Sequence, residues 1–282
     1  MSPKIYDCFL FFNELLLLEV RLNELYDFVD YFVLVESEET FQGDPKALHF
    51  EANKSRFKKF LPKIIHVKVG KSPTAAHTWT RQHFQRKAIG RGLTSCEPED
   101  IVIISDLDEI PRNTSVSQLK VSSGQAVEFT MRAYSHFLNR RMRRLHPRYK
   151  DLGEDHNGSI AIRYEDFSNA EDVRRLQGKF KGHRGSDKLK FLTDSGWHFS
   201  WMGDLIDITY KAASVSGRTD VNDPSKSTKE WQTSMEALRG GKDIEVTTST
   251  LAEFKLEKID SSYPKYIVEN LSLFEDWIFK KT

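Results

Sequence analysis

The sequence predicts an α/β protein: a Rossmann-type, nucleotide-binding sheet flanked by helices, followed by a helical C-terminal portion. Strand-like and helix-like patterns alternate as β-α-β-α-β-α-β through roughly the first 110 residues, the order that builds a parallel sheet. Ile101-Val102-Ile103-Ile104 is an uncharged, β-branched run, as expected of a strand buried on both faces. The run ends abruptly in Asp106, Asp108 and Glu109, and Pro111 stops its continuation. Open α/β sheets bind ligands outside the carboxyl ends of their strands, so these acids lie where a site is expected.

Each element has its own signal. Residues 4–12 are rich in aromatic and apolar side chains and read as the first strand. Leu15, Leu18, Leu22 and Leu25 recur at helical spacing through about residue 29. Tyr31–Val35 reads as a second strand, ending at Glu36 and Ser37, and residues 38–50 as a polar loop with Gly43 and Pro45. A basic helix is expected around 51–60, a third strand at 64–69 and another helix over 76–92. Beyond the acidic strand end, strands are expected at 125–137 and 159–164 and helices near 169–177, from about Asp204 to Val215, and over Tyr266–Phe279. The dense basic run Arg140–Arg144 reads as a solvated loop or as a contact for an anionic ligand. The chain divides into a nucleotide-binding half at 1–112, a second half at 113–215 and a helical portion at 216–282, all within one domain.

Composition limits the classes of function. A chain of 282 residues suffices for one large α/β domain. A formal charge of +1 gives no bulk attraction to nucleic acid, which is therefore not an expected partner. The two cysteines, Cys8 and Cys96, belong to no Cys/His cluster of the kind that holds zinc. The apolar runs are too short for a transmembrane segment, and the first residues lack a signal-peptide core. The expectation is a soluble, cytoplasmic protein.

Side chains alternate along an extended chain, so Asp106 and Asp108 can project to one side. Two carboxylates there can seat Mn²⁺ or Mg²⁺ carrying a phosphorylated ligand. Glu36, at the end of the second strand, is placed to hold a base or ribose, or else to cap a turn. Arg86 can reach phosphates or orient an acid of the site; Arg81, five residues earlier, has a solvated position as its alternative.

Separated motifs add a resemblance. Asn13-Glu14 with Leu18-Glu19-Val20-Arg21-Leu22-Asn23-Glu24-Leu25, Val35-Glu36-Ser37 with Thr40-Phe41-Gln42-Gly43, and Trp79-Thr80-Arg81-Gln82 with Gln85-Arg86 come first. Ser105-Asp106-Leu107-Asp108-Glu109-Ile110-Pro111 and Gly196-Trp197-His198-Phe199-Ser200-Trp201 follow in order. Together they resemble glycosyltransferase family 17 over roughly residues 4–215.

The resemblance implies a GT-A-like catalytic domain and an inverting, metal-dependent transfer. The donor would be a UDP-sugar, with N-acetylglucosamine as the expected sugar, and the acceptor a glycan. On this reading Asp108 is the chief metal contact, Asp106 lies near the ribose or reaches the metal through water, and His198 is a further ligand that favours Mn²⁺. An inverting displacement also needs a carboxylate base near the acceptor hydroxyl, for which Asp204 is preferred over Glu109. Trp79, Trp197 and Trp201 are candidates for stacking on a sugar, or for the core. Two competing readings remain. One is a haloacid-dehalogenase-like phosphatase, although there the acidic pair normally follows the first strand. The other is a non-catalytic nucleotide- or sugar-binding protein.

Overall fold

The computed structural model describes residues 2–73, 77–144, 155–177, 188–215, 233 and 252–280. The expected alternation is present: β1 (Ile5–Phe11), α1 (Leu15–Leu25), β2 (Tyr31–Ser37), the one-turn α2 (His49–Ala52), β3 (Ile64–Val69), α3 (Thr78–Lys87) and β4 (Ile101–Asp106). The strands lie parallel in the order β3-β2-β1-β4. The chain winds outward from β1 and then returns to place β4 on β1's other side. That reversal opens a crevice at the carboxyl ends of β1 and β4.

Alternation along each strand supplies both faces of the sheet. Phe9 and Phe11 of β1, Phe32 and Leu34 of β2, and Ile101 and Ile103 of β4 enter one core with Leu18, Leu22 and Leu25 of α1. Tyr6, Cys8, Val33, Val35, Val102 and Ile104 enter the core on the opposite face. The uncharged run at 101–104 is thus buried on both sides, as its composition requires.

The second half extends the sheet with antiparallel strands. It comprises β5 (Glu109–Pro111), α4 (Asn113–Ser117), β6 (Ala126–Ser135), β7 (Arg140–Arg144), β8 (His156–Arg163), α5 (Ala170–Arg174), β9 (Leu189–Leu192), β10 (Gly196–Ser200), α6 (Leu205–Ser214), β11 (Ala252–Leu256) and α7 (Lys265–Glu269). β8 pairs antiparallel with β4, and β6 antiparallel with β8. β10 lies between β6, to which it is parallel, and β5, to which it is antiparallel. A Cβ on Gly196 would stand 2.3 Å from the Ile110 carbonyl, so only glycine permits the β10–β5 approach.

Several elements differ from expectation. The basic helix at 51–60 is α2 followed by a separate 3₁₀ turn at Lys54–Phe57, broken at Asn53, whose side chain donates to the His49 carbonyl at 2.7 Å. The C-terminal helix is likewise split at Asn270 into α7 and a 3₁₀ segment at Leu271–Trp277, and β11 is an unexpected strand. The basic run 140–144 is not a solvated loop. It is β7, held between β6 and β11, with Arg141 paired to Asp155 and Glu257 and Arg140 over the Phe254 ring. Residues 136–158 and 216–230, which the sequence suggests as loops shaping an acceptor pocket, lie mostly outside the described residues.

One charge in the core needs explanation. Asp7 points inward from the middle of β1 and has no exposed surface. Arg21, on the face of α1 turned toward it, meets it with Nε at 2.7 Å and Nη2 at 2.5 Å. The same guanidinium donates to the carbonyls of Asp106 (3.1 Å), Leu107 (3.1 Å) and Glu109 (2.8 Å), and to Ser105 Oγ (2.5 Å). All of its donors are therefore engaged. A buried ion pair adds little net stability, but removing one partner strands the other charge. Arg21→Ala is expected to lower unfolding stability by about 3–5 kcal/mol, measured by denaturant titration, and Arg21→Lys should fail to restore it because an ammonium lacks the planar fork.

His136, just past β6, adopts a left-handed φ of 68° and donates its backbone N–H to the Ser200 carbonyl at 3.0 Å. Burial, and then Arg140, push its pKa down to about 4. The unfolded chain titrates near 6.5, so His136 contributes stability that is present above that pH and lost as pH falls toward 4. The full loss is on the order of 3 kcal/mol. Stability curves of His136→Gln, compared with those of the parent, should be flatter across this window.

Candidate active site

The crevice at the carboxyl ends of β1 and β4 holds a cavity of about 220 Å³. Leu10 and Phe12 line one side, Trp79, Gln82 and Gln85 of α3 another, and Asp106–Asp108 the floor. Glu14, just beyond β1, and Lys211 and Ser214 of α6 complete the polar end. Trp79 is about half exposed, at 51%.

The acids at the end of β4 separate into different environments. Asp106 is held from two directions, by Arg86 Nη2 at 3.0 Å and Arg174 Nη2 at 3.0 Å. Burial raises its pKa, but Arg174 and Arg86 outweigh that and leave it below the usual carboxylate range. Both its oxygens are thereby engaged by arginines. Alternation fails to align it with Asp108 because β4 stops at Asp106 and the chain turns through 107–108.

Glu109 is buried and does not line the cavity. Its oxygens take Arg174 Nη2 at 2.5 Å and Nη1 at 2.6 Å, and one also accepts the Asp106 N–H at 3.1 Å. Burial pushes its carboxyl up, while Arg174 and His156 hold it well below the ordinary value. The base role considered for Glu109 is therefore set aside: a buried carboxylate closed by a bidentate arginine does not reach an acceptor hydroxyl.

Asp108 faces the cavity. Its Oδ2 lies 3.2 Å from Lys211 Nζ and its Oδ1 3.7 Å from His198 Nε2. β10 supports this arrangement: His198 stands opposite Glu109, and the Phe199 N–H donates to the Asp108 carbonyl at 2.9 Å. The His198 ring lies 4.2 Å from that of His156, and His198 Nδ1 is buried without a hydrogen-bond partner among the described residues. At 3.7 Å, Asp108 and His198 are too far apart for a hydrogen bond, yet one divalent ion with bonds of about 2.1 Å could touch both. Among the described residues no group of three or more His, Cys, Asp or Glu side chains is arranged around one point. The residues fit an ion taking two protein ligands and the rest from a diphosphate, as Mg²⁺-type sites do.

Lys211 also reaches Glu14 Oε1 at 2.9 Å. Burial alone would lower the lysine pKa, but Glu14 and Asp108 hold it above its ordinary value. Burial raises Glu14 and Lys211 lowers it, with a net downward shift.

The remaining expected residues have local roles. Glu36 is fully buried, accepts the Phe50 N–H at 2.8 Å and meets His66 Nε2 at 3.1 Å; it caps α2 and does not line the cavity. Arg86 orients Asp106 and also pairs with Glu171 at 3.0 Å. Arg81 donates to the Phe41 carbonyl at 3.3 Å and lies against Gly43, whose φ is 95°. Trp197 is core, whereas Trp201 lies within 5.8 Å of Lys211. Arg174, Lys211 and Glu171 carry no sequence signal for these roles. Arg21 and Glu14 lay inside a recognised motif, but nothing in it indicated their chemistry.

Asp204 is the N-cap of α6: its Oδ1 accepts the Asp207 N–H at 2.8 Å, it is exposed, and it does not line this cavity. Of the two roles its position allowed, the structural one is seen. Asp204→Ala is therefore expected to cost about 1 kcal/mol of stability, measured by thermal unfolding, while leaving any nucleotide binding in the cavity unchanged.

Residues 1–146 match the family model described as Glycosyltransferase family 17. The beta-1,4-mannosyl-glycoprotein 4-beta-N-acetylglucosaminyltransferases of Homo sapiens and Rattus norvegicus are each 32% identical over 126 residues. Those matches cover 42% of this chain and 24% and 23% of the two relatives, so they span about a quarter of the relatives' length. Among solved structures, the glucosyl-3-phosphoglycerate synthase of Mycobacterium tuberculosis, in complex with Mn²⁺, UDP-glucose and glycerol 3-phosphate, is similar at 13% identity and a TM-score of 0.37. That alignment covers 95% of this chain and 92% of that one. With the family model matching more than half of its length, the chain belongs to glycosyltransferase family 17.

Proposed function

We propose that this chain is an inverting, metal-dependent glycosyltransferase that moves N-acetylglucosamine from a UDP donor to a glycan hydroxyl. The observation that carries the reading is the pairing of Asp108 with His198 beside the cavity, in a chain of family 17. N-acetylglucosamine is proposed as the transferred sugar because the similar human protein is an N-acetylglucosaminyltransferase.

Mn²⁺ or Mg²⁺ held by Asp108 and His198 would act as a Lewis acid toward the diphosphate. The chain's own residues supply the rest. Leu10, Phe12 and Trp79 give the cavity apolar surface suited to a base, and Lys211 gives it a cation suited to a diphosphate. Lys211 adds a cation beside Asp108, where charge develops on the leaving group. Arg86 and Arg174 fix Asp106, a role that orients the floor of the cavity.

The phosphatase alternative requires a free aspartate nucleophile after the first strand. Here the acids follow the fourth strand, and Asp106 is held on both oxygens by arginines. A non-catalytic binder is separated from the proposal by turnover.

The test incubates the protein with a panel of UDP-sugars, with and without Mn²⁺. UDP release and metal-linked UDP binding are expected, and absence of both across the panel overturns the reading. Asp108→Ala should weaken metal-dependent UDP binding by more than the roughly 10–100-fold typical of losing an outer partner of a metal site.

A further inference from the structure

A second cavity, of about 350 Å³, lies on the other side of the Glu14–Lys211 pair. Asn13, Leu16, Met202, Asp207 and Trp277 contribute to its lining. Among the described residues, Glu14 and Lys211 alone line both cavities. The two chambers are therefore divided by one ion pair, 2.9 Å long, whose side chains are 9% and 16% exposed.

A transfer reaction needs such a boundary. The donor's anomeric carbon must meet an acceptor oxygen that arrives from a different direction, with a base in contact with that oxygen. Each other carboxylate of the region is unsuited by position. Glu39, Asp106 and Asp108 line only the first cavity. Glu109 lines neither. Asp204, Asp207 and Asp276 line only the second, and Asp204 is committed to capping α6. Glu14 is also held in place: its Oε2 accepts the Asn13 N–H at 3.1 Å, and its Oε1 faces Lys211.

Building on the glycosyltransferase reading, we propose that Glu14 is the catalytic base and that the acceptor enters through the second cavity. The acceptor oxygen forms a bond to the anomeric carbon as the bond from that carbon to the diphosphate oxygen breaks. The electron pair of the broken bond leaves with the diphosphate, and the acceptor's proton passes to a carboxylate oxygen of Glu14. Lys211 is the positioning residue, holding Glu14 at the boundary on one side and Asp108 on the other.

The test uses UDP-N-acetylglucosamine with water as the acceptor, and then with azide, a nucleophile that has no proton to lose. Glu14→Gln should lower water-driven UDP release by about 10²-fold or more. Azide-driven release and UDP binding should stay within a few-fold of the parent. Glu14→Asp, which keeps a carboxylate, should lie between the two in the water reaction. The assignment is overturned if Glu14→Gln hydrolyses the donor as the parent does. It is also overturned if azide-driven release falls in step with the water reaction while UDP binding persists. Should the Gln variant fail to bind UDP, the Asp variant decides: a selective loss with water supports the base role, and an equal loss with both nucleophiles overturns it. A parent protein that neither binds UDP nor releases it from any UDP-sugar overturns the glycosyltransferase reading itself, an outcome distinct from the others.

Discussion

Arg21 is a guanidinium without exposed surface, and much of the molecule is arranged to satisfy it. It ties helix α1 to Asp7 in the first strand and, through three carbonyls, to the turn that carries the acids. Those carbonyls lie where the chain leaves β4, and Arg21 is a donor common to all three. One side chain therefore sets both how the helix seats on the sheet and the shape of the turn from which Asp108 projects. The cost of desolvating this charge is offset only by a complete set of partners. That makes the arrangement selective for one geometry more than it makes it stable.

The same principle governs the acids themselves. Asp106, Glu109 and Glu171 share Arg86 and Arg174, while Glu14 and Asp108 share Lys211. At low local dielectric each cation holds its carboxylates pointing in fixed directions. Cations held in this way require little rearrangement when a charged ligand arrives. The acids thus fall into a set braced by arginines and a pair that shares Lys211 beside the cavity.

Much of the fold was legible because its causes are local. The 101–104 run, the leucine spacing of α1 and the strand–helix alternation are short-range patterns, and each has its counterpart in the structure. The position of the site was legible for the same reason, since it follows from where an apolar strand ends in acids. The roles within it were not. Which oxygen meets which arginine depends on α5 and α6 folding back across the sheet, and no spacing in the sequence encodes that return. Asp204 illustrates the limit: an aspartate before a helix suits capping and catalysis equally until its hydrogen bond is seen. Glu36 is similar, a strand-end carboxylate whose partner proved to be a helix start 14 positions away.

The placement of β10 between β5 and β6 has a consequence for how the molecule comes together. The strand brings His198 beside residues near position 109 of the chain, and α6 then carries Lys211 to Glu14, near the start. Arg174, His198 and Lys211 all lie beyond residue 146, where the family match stops. The matched part thus contains Glu14, Asp106, Asp108 and Glu109 but only some of the cations that organise them. High contact order of this kind delays assembly, because distant segments must meet before their contacts reward the loss of chain entropy. A nascent chain that has emerged only as far as the end of the match would hold the acidic turn without its later counter-charges. The centre is completed only when the later segments close over it.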